Sequence, residues 1–532
     1  MTASAPSILS LVLLAPLAGA SGLALLPAGV SPAWLRRLSL AVLMVQLLLT
    51  VAVLFRFDPA TGEMQLLEQA AWLGTLGLDY RLGVDGLSLP LLLINGILSL
   101  AAVAISPLAT PRPRSYFALL LLISGAVNGA FLAQNLLLFF LFYELELIPL
   151  WLLIAIWGGA RRAYAATKFL IFTALSGVLI LVGFLGLALA TGSLDFSLNP
   201  ALSQQLGLGT QLLLMGALLV GFGIKIPLFP FHSWLPDAHT EASTPISVLL
   251  AGVLLKLGTY GLLRFCLSLF PQAWALLAPG LAGWAAVSVL FGSLAAIAQT
   301  DMKRMVAYSS VGHMGYVLLA AAAATPISLL GSLLQMLAHG LISGLMFLLV
   351  GVIYQTTGTR DLTVLRGLLN PQRGLPLTGG LMILAAMASA GIPGMAGFVA
   401  ELMVFRGSLL TFPLATLLSM VGSGLTAVYF LLLVNRAFFG RLATEPGGTP
   451  SSLLPLAGLA RQAPAVVLAA GVVLMGLWPQ GLVNLAVAST STLAHPASAH
   501  LTSGLLTSIT MASTNNQPAT SDFLLEGTDH GG

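Results

Sequence analysis

Residues 221–265 read GFGIKIPLFPFHSWLPDAHTEASTPISVLLAGVLLKLGTYGLLRF and decide the fold. The stretch is long enough for two membrane crossings of about 20 residues each, yet it carries Lys225 and Lys256. A charge near the bilayer centre costs at least about 2.5–3.5 kcal/mol on insertion scales, so it needs a partner or a water-filled cavity. Pro227 and Pro230 interrupt the first crossing. The stretch therefore predicts two membrane helices, one of them broken, that hold functional lysines.

The rest of the chain has the same apolar character. Of its 532 residues, 58% are hydrophobic and 7% are charged, against about 25% charged in an ordinary soluble domain. The net charge of +4 gives no indication of nucleic-acid binding. Cys266 is the only cysteine, which excludes an internal disulfide, an iron–sulfur cluster and a Cys-rich zinc site. Phosphate-binding loops and HExxH pairs are absent, so we expect no cofactor or metal in this chain.

Apolar runs between turn and charge clusters predict an all-α polytopic membrane protein with about fourteen helices. Their approximate bounds are 8–28, 37–57, 87–106, 115–133, 135–157, 166–190, 209–231, 244–268, 277–299, 305–323, 328–356, 376–406, 412–440 and 463–486. Met1–Ser10 has no Lys or Arg, which favours a retained first helix over a cleaved signal peptide. The segment 58–86 is typical of a polar loop with room for a short surface helix. The Ser-, Thr- and Ala-rich chain from Val487 is typical of a weakly ordered tail.

The distribution of basic residues supports this count, because cytoplasmic loops collect Lys and Arg. Most basic residues follow odd-numbered spans: Arg36, Arg37, Arg112, Arg114, Arg161, Arg162, Lys168, Lys303, Arg304, Arg360, Arg366, Arg373, Arg436, Arg441 and Arg461. The opposite face collects the acids Asp58, Glu63, Glu68, Asp79, Asp85 and Asp195. If one helix had been missed, the basic and acidic loops after it would be assigned to the wrong faces. We therefore predict fourteen spans with both termini on the non-cytoplasmic side.

Five charges remain inside the predicted spans: Glu144, Glu146, Lys225, Lys256 and Glu401. Glu144 and Glu146 are two positions apart, so on a helix they point about 200° away from each other. One of them is expected to face the bundle and the other a neighbouring helix or subunit. A lysine or arginine near a helix end can instead extend its side chain toward water, which is called snorkelling. We expect snorkelling for Arg264 and Arg406, and for Lys225 it is an alternative to burial.

Two predicted spans, the seventh and the twelfth, carry Gly and Pro in their interiors, at 221–230 and 391–397. Paired interrupted spans are typical of inverted-repeat transporters. The two lie five helices apart, so spans 4–8 and 9–13 are candidate inverted five-helix repeats, with Lys225 and Glu401 as counterparts. The predicted organisation is an N-terminal part (1–114), a first repeat (115–268), a second repeat (277–440), a connecting loop with the last helix (441–486) and a polar tail (487–532).

Polar groups at helical spacing lie between these two spans. Ser309, His313 and Tyr316 can share one face of the tenth span, and Gln335, His339 and Ser343 can share one face of the eleventh. A lone buried histidine is more often a satisfied core residue than a relay. Here two histidines lie on adjacent spans between two buried charges. A role in a proton relay is therefore as well supported as a purely structural role.

These residues lie in stretches with a family resemblance. FYELELIPLWLLIAIWGG (142–159), the opening stretch 221–265, DMKRMVAYSSVGHMGY (301–316) and GIPGMAGFVAELMVF (391–405) resemble the antiporter-like membrane subunits of respiratory complex I and of its photosynthetic relatives. The resemblance covers nearly all of 80–440. It implies fourteen helices with two inverted repeats, and it places the family's ionisable site residues on Glu144, Lys225, Lys256 and Glu401. Tyr143 departs from the family's usual tryptophan.

The resemblance implies a proton-translocating membrane subunit of an NAD(P)H- or ferredoxin–plastoquinone oxidoreductase. Such a complex uses quinone, NAD(P)H or ferredoxin and iron–sulfur clusters in other subunits, and this chain would contact neighbouring membrane subunits and lipids. A cyanobacterial thylakoid membrane with both termini on the luminal side is the expected location. Three alternatives remain open: an Mrp-type cation/proton antiporter subunit, a scaffold with an inert channel, and a solute transporter with a larger central pocket.

The mechanism that these residues suggest is an ordered relay. Burial disfavours the ammonium of Lys225 unless the Glu144 carboxylate lies close to it. Moving or neutralising that carboxylate would send the proton through Lys256, His313 and His339 to Glu401. The trigger would come from a neighbouring subunit, because this chain has no redox site.

Overall fold

The computed structural model describes residues 7–27, 29–74, 77–195, 199–372, 374–443 and 459–494, and apolar runs form helices throughout these ranges. The long helices are α1 (Ile8–Leu25), α2 (Pro32–Leu54), α3 (Ser88–Ala104), α4 (Pro113–Leu132), α5 (Leu136–Trp157), α6 (Arg162–Thr191), α7 (Leu208–Lys225), α8 (Thr244–Leu267), α9 (Pro271–Ile297), α10 (Met302–Ala323), α11 (Pro326–Thr357), α12 (Pro376–Ser389), α13 (Ala396–Ser408), α14 (Pro413–Phe438), α15 (Leu459–Leu477) and α16 (Gln480–Ala494). Two short helices, Asn199–Ser203 and Trp234–Glu241, lie in the connections.

Within the described ranges, eleven helices are long and apolar enough to cross a membrane, and α15 with α16, bent by 70°, makes a twelfth candidate. The third predicted span corresponds to the shorter α3, and the twelfth to α12 and α13 on either side of a break. The chain is thus a mostly helical polytopic membrane protein, and the count of fourteen stays a prediction. The tail predicted from Val487 is wrong as far as Ala494, where α16 ends. Arg373, the loop 444–458 and the tail 495–532 lie outside the described residues.

The segment expected to be a loop with a surface helix is instead an antiparallel hairpin of β1 (Gln65–Leu73) and β2 (Leu78–Val84). The sequence LDYRLGV of β2 alternates apolar and polar residues, which is the period of a strand rather than of a helix. Within the described residues, this hairpin corrects the expectation of an all-α fold.

The hairpin holds the start of α1. The Glu68 carboxylate accepts hydrogen bonds from the backbone amides of Leu9 at 2.7 Å and Ser10 at 2.9 Å, and from the Ser10 hydroxyl at 2.6 Å. These amides belong to the first turn of the helix, which leaves its N–H groups unpaired within the helix and favours a negative charge. Glu68 therefore caps α1 from a different part of the chain.

We expect Glu68→Gln to lower the free energy of unfolding by about 1–3 kcal/mol, because the amide presents its own donor to amides that need an acceptor. The thermal unfolding midpoint of the purified protein in detergent measures this change. Glu63→Gln is the matched control, since Glu63 lies in the same segment and is exposed. Equal midpoints for the two variants would contradict the capping role.

Burial separates the central helices from the outer ones. The most apolar windows of α8, α10 and α11 are 100%, 94% and 94% buried, whereas those of α1, α2, α6 and α14 are 39% or less. The outer helices thus present apolar side chains outward, where lipid or other subunits would cover them. The central helices carry Lys256, His313 and His339, so these three polar groups lie in the interior.

Candidate functional site

The end of α7 places Lys225 in the interior. The helix stops at Lys225 because Pro227 has no amide proton to donate, and Pro230 follows. The ammonium of Lys225 is buried, forms an ion pair with the Glu146 carboxylate, and lies 4.8 Å from the centre of the Tyr143 ring. A carboxylate and an aromatic face together offset the desolvation of a buried cation. Snorkelling of Lys225 toward water is therefore wrong.

Glu146 rather than Glu144 is the partner of Lys225, which corrects the predicted pairing. The two glutamates point in different directions, as their spacing requires: Glu146 is fully buried, and Glu144 is partly exposed. α5 is interrupted at Glu146 because Pro149 cannot donate to the Leu145 carbonyl. Glu144 lines a surface groove of about 450 Å³ together with apolar residues of α4 and α5.

Lys256 and His339 form one unit. Lys256 is fully buried in α8, between two π-helical stretches, Leu250–Leu254 and Leu262–Leu267, and such stretches are frequent at functional sites. Its Nζ donates to the Ala251 carbonyl at 2.6 Å and lies 2.7 Å from Nδ1 of His339. An ammonium has no lone pair, so this Nδ1 is the acceptor when Lys256 is charged. The lysine of α8 and the histidine of α11, identified separately in the sequence, are in direct contact.

His313 lies between His339 and Glu401. The two imidazole rings have centroids 5.6 Å apart. Nδ1 of His313 lies 2.7 Å from the Ser309 carbonyl, and Nε2 lies 3.9 Å from Oε1 of Glu401. The Ser423 hydroxyl donates to the other carboxylate oxygen at 2.6 Å. The structure thus brings four of the six predicted site residues, Lys256, His339, His313 and Glu401, into one continuous row.

Glu401 owes its position to the break between α12 and α13. Gly391 and Gly394 in this break have φ values of 70° and 89°, which only glycine adopts without strain. A Cβ on Gly391 would lie 3.0 Å from the Glu401 carboxylate, so a side chain there would crowd the acid. The Gly–Ile–Pro–Gly sequence therefore shapes the pocket of the last residue in the row.

Lys225 is adjacent to this row but not bonded to it. α8 packs closely on the end of α7 at Gly258, where an added Cβ would lie 2.8 Å from the Ile226 side chain and 3.3 Å from Cβ of Lys225. Although both side chains are described, no hydrogen bond joins Lys225 to Lys256. The two lysines are thus neighbours without a direct polar contact.

Sequence reasoning missed two buried histidines, His232 and His239, and it assigned Lys303 to a loop although this side chain is buried. His239 stacks on Phe347 with centroids 4.3 Å apart, and among the described residues neither of its ring nitrogens has a hydrogen-bond partner. His232 is also buried, and Lys303 donates to the Ala242 carbonyl at 2.7 Å. The polar residues of the segment FHSWLPDAHTE (231–241) were the available signal for the two histidines. This segment follows a proline break, however, and its polar residues show no clear helical periodicity.

Two clusters of charge lie toward the ends of the helices. On the face predicted to be cytoplasmic, Asp237 lies 2.8 Å from Lys168 and 3.5 Å from Arg304. Toward the opposite face, Arg264 is buried and its guanidinium lies 2.5 Å from the Asp85 carboxylate. The expected snorkelling of Arg264 is therefore wrong, whereas Arg406 is exposed as snorkelling requires.

The chain is similar in sequence to known membrane proteins. Residues 133–426 match the family model described as NADH:quinone oxidoreductase/Mrp antiporter, TM. The chain is 45% identical over 449 residues to NAD(P)H-quinone oxidoreductase chain 4 1 of Synechococcus sp. (strain JA-3-3Ab), covering 82% of this chain and 84% of the relative.

Solved structures share the fold. A chain of respiratory complex I from Thermus thermophilus superposes with a TM-score of 0.81 at 27% identity, covering 92% of this chain and 99% of that one. A chain of the Mrp complex from Dietzia sp. DQ12-45-1b superposes with a TM-score of 0.80 at 24% identity, covering 93% of this chain and 99% of that one. At this identity the similarity shows a shared fold and nothing more. Family model, sequence relatives and fold agree. The chain therefore belongs to the antiporter-like membrane subunits of the NADH:quinone oxidoreductase/Mrp family, among which it is similar to chain 4 of NAD(P)H-quinone oxidoreductases.

Proposed function

We propose that this chain is a proton-translocating membrane subunit of an NAD(P)H- or ferredoxin–plastoquinone oxidoreductase complex. The observation that carries the proposal is the buried row Lys256–His339–His313–Glu401, which runs from α8 to the break between α12 and α13. Lys256 lies 2.7 Å from His339, the two histidine ring centroids are 5.6 Å apart, and His313 lies 3.9 Å from Glu401. Ionisable groups inside a membrane protein are costly and mark ion pathways. The names of the chain 4 relatives support the reaction.

The same proposal includes the finer architecture and location. The chain crosses the membrane fourteen times, with spans 4–8 and 9–13 as inverted repeats and both termini on the luminal side of a cyanobacterial thylakoid membrane. The cyanobacterial source of the chain 4 relatives supports this membrane. Neighbouring membrane subunits and lipids cover its outer helices, and the quinone, the electron donor and the iron–sulfur clusters belong to other subunits.

Proton transfer in this proposal starts at the Lys225–Glu146 ion pair. The carboxylate stabilises the ammonium, and weakening the pair favours release of the proton, because burial alone disfavours the charged lysine. Lys256 accepts the proton and passes it through the two histidines to Glu401, which releases it to the non-cytoplasmic side. The role of this chain is to hold and move protons, and electron transfer takes place elsewhere in the complex.

Glu144 has a different part in this mechanism from the one first expected. Its carboxylate lies in a groove on the outside of the chain, within one helical turn of Glu146. A charged group of a neighbouring subunit in that groove would change the electrostatic balance of the Lys225–Glu146 pair. Glu144 is thus the candidate point at which the trigger enters.

Two single variants separate these roles. Glu146→Gln leaves the Lys225 ammonium buried without its counter-charge, so we expect a loss of about 3–5 kcal/mol of stability together with loss of proton transfer. Glu144→Gln should leave stability unchanged and lower the number of protons pumped per electron. Thermal unfolding of the purified complex and acidification measured in membrane vesicles provide the two readouts. A Glu144→Gln variant as unstable as Glu146→Gln would contradict the assignment of the ion pair, and normal pumping in both would refute the proposed function.

A further inference from the structure

A groove of about 350 Å³ opens on the outside of the chain, where the end of α1, the start of α4 and the end of α5 meet. Arg112, Arg114 and Ser115 line the groove at these helix ends. The rest of its wall is apolar and consists of Ala24, Ala118, Leu119, Leu152, Ile156 and Trp157. The groove is therefore basic at the helix ends and apolar along the helices.

The two arginines lack an anionic partner. Within the described ranges, neither Arg112 nor Arg114 forms an ion pair, and no carboxylate lines the groove. The guanidinium of Arg114 donates to the Leu26 carbonyl at the end of α1, and the side chain of Arg112 makes no hydrogen bond in this part of the chain. Two like charges thus share one groove, and their counter-charge must come from outside the chain.

The backbone that carries Arg112 is held in a strained conformation. Its φ of 50° and ψ of 54° lie in the left-handed region, which residues with a side chain rarely adopt. Trp157 fixes this loop, because its indole Nε1 donates to the Pro111 carbonyl at 2.6 Å and its ring meets the Tyr116 ring edge-on at 5.3 Å between centroids. Strain that the surrounding structure maintains is typical of ligand-binding positions. The loop therefore holds Arg112 at the groove in advance of any ligand.

The apolar part of the groove leads toward the interior of the bilayer. Tryptophans such as Trp157 are enriched at the boundary between membrane and water. From Arg114 to Leu122, α4 rises by about 12 Å, which compares with about 15 Å for half of the hydrocarbon core. Leu119 lines both this groove and the adjoining groove of Glu144, to which Leu122 also belongs. An apolar path of the length of an acyl chain thus begins at the two arginines.

We propose that this groove binds one anionic phospholipid, with its phosphate between Arg112 and Arg114 and one acyl chain along α4 and α5. Guanidinium groups bind phosphate oxygens in a planar, bidentate manner, and basic pockets between membrane helices are typical of anionic lipid sites. An acidic peptide could pair with the arginines, but a lipid matches both the charge at one end and the apolar wall below it. The site does not depend on the proposed proton transfer, because neither arginine belongs to the buried row.

The test uses the intact complex after removal of its lipids. The complex is titrated with phosphatidylglycerol, or with phosphatidylcholine of the same acyl chains, and native mass spectrometry counts the lipids retained. A structure of the phosphatidylglycerol sample locates the bound lipid. Arg112→Gln removes one charge and no hydrogen bond within the described chain, whereas Leu152→Trp fills the apolar wall and keeps both charges. Arg37→Gln is the matched control, since Arg37 is exposed and does not line the groove.

We expect elongated density in the groove of the wild type and of Arg37→Gln, with its phosphate at Arg112 and Arg114. Arg112→Gln should bind phosphatidylglycerol about fivefold more weakly at this site, which is the effect of one basic residue near an anionic lipid surface. Leu152→Trp should lose the density. Equal retention of phosphatidylcholine would overturn the anionic headgroup. An empty groove, unchanged binding in both variants, or polypeptide of a neighbouring subunit in the groove would overturn the lipid site.

Discussion

Lys225→Met is expected to abolish the proton transfer carried by this chain, with the largest effect of any single change. Lys225 is the only positive charge in contact with Glu146 among the described residues, so its loss removes the first proton carrier and leaves a buried carboxylate unpaired. An unpaired buried charge costs about 3–5 kcal/mol, which the carboxyl group can relieve by taking up a proton. Acidification of membrane vesicles per quinone reduced measures the loss of transfer.

Two further variants separate the charge of Lys225 from its proton. Lys225→Arg keeps a positive charge beside Glu146, but a guanidinium does not release its proton in proteins. We therefore expect Lys225→Arg to assemble with near-normal stability and still fail to pump. The double variant Lys225→Met with Glu146→Gln should recover stability without recovering pumping. Pumping by Lys225→Arg would show that the residue supplies charge rather than a transferable proton.

Glu401→Gln is expected to have the second-largest effect, because it ends the row. The amide oxygen can still accept the hydrogen bond of Ser423 at the same place, so the fold of the break should persist. An amide takes up no proton from His313 under these conditions, and transfer therefore stops one step before release. We expect at least a tenfold lower rate of proton transfer through this chain, with quinone reduction continuing.

The control for this variant is Arg406→Gln. Arg406 lies on the same helix as Glu401 but is exposed and outside the row. It should assemble and pump as the wild type does, and Glu401→Asp should retain part of the transfer because it restores a carboxyl group. Loss of pumping in Arg406→Gln to the same degree would indicate a general disturbance of α13 and would contradict a specific role for Glu401.

The membrane helices could be predicted well from the sequence, because hydrophobicity over about 20 residues is a strong local signal. The predictions failed where tertiary contacts determine the secondary structure. The hairpin was missed since β1 alternates poorly, and its stability depends on contacts such as that of Glu68 with the start of α1. The helix that continues from Val487 to Ala494 was missed because the Ser and Thr residues of this segment are weak helix formers, so that its helical state depends on packing.

The site could be predicted in its residues but not in its pairing. A helix period showed that Glu144 and Glu146 diverge, yet only the three-dimensional packing decides which one meets Lys225. The contact between Lys256 and His339 joins residues 83 positions apart, a distance over which local pattern carries no information. Arg264 was misjudged for the same reason, because Asp85 reaches it from another part of the chain.

The hairpin also links the two ends of the described chain. Its Glu68 binds the first turn of α1, and the loop after β2 meets the far end of the chain, where the amide of Gly86 donates to the hydroxyl of Ser489 on α16 at 2.9 Å. The first turn of α1 and the C-terminal half of α16 are thus held at the same hairpin. Any neighbour that docks on the hairpin therefore touches both ends of the described chain at once.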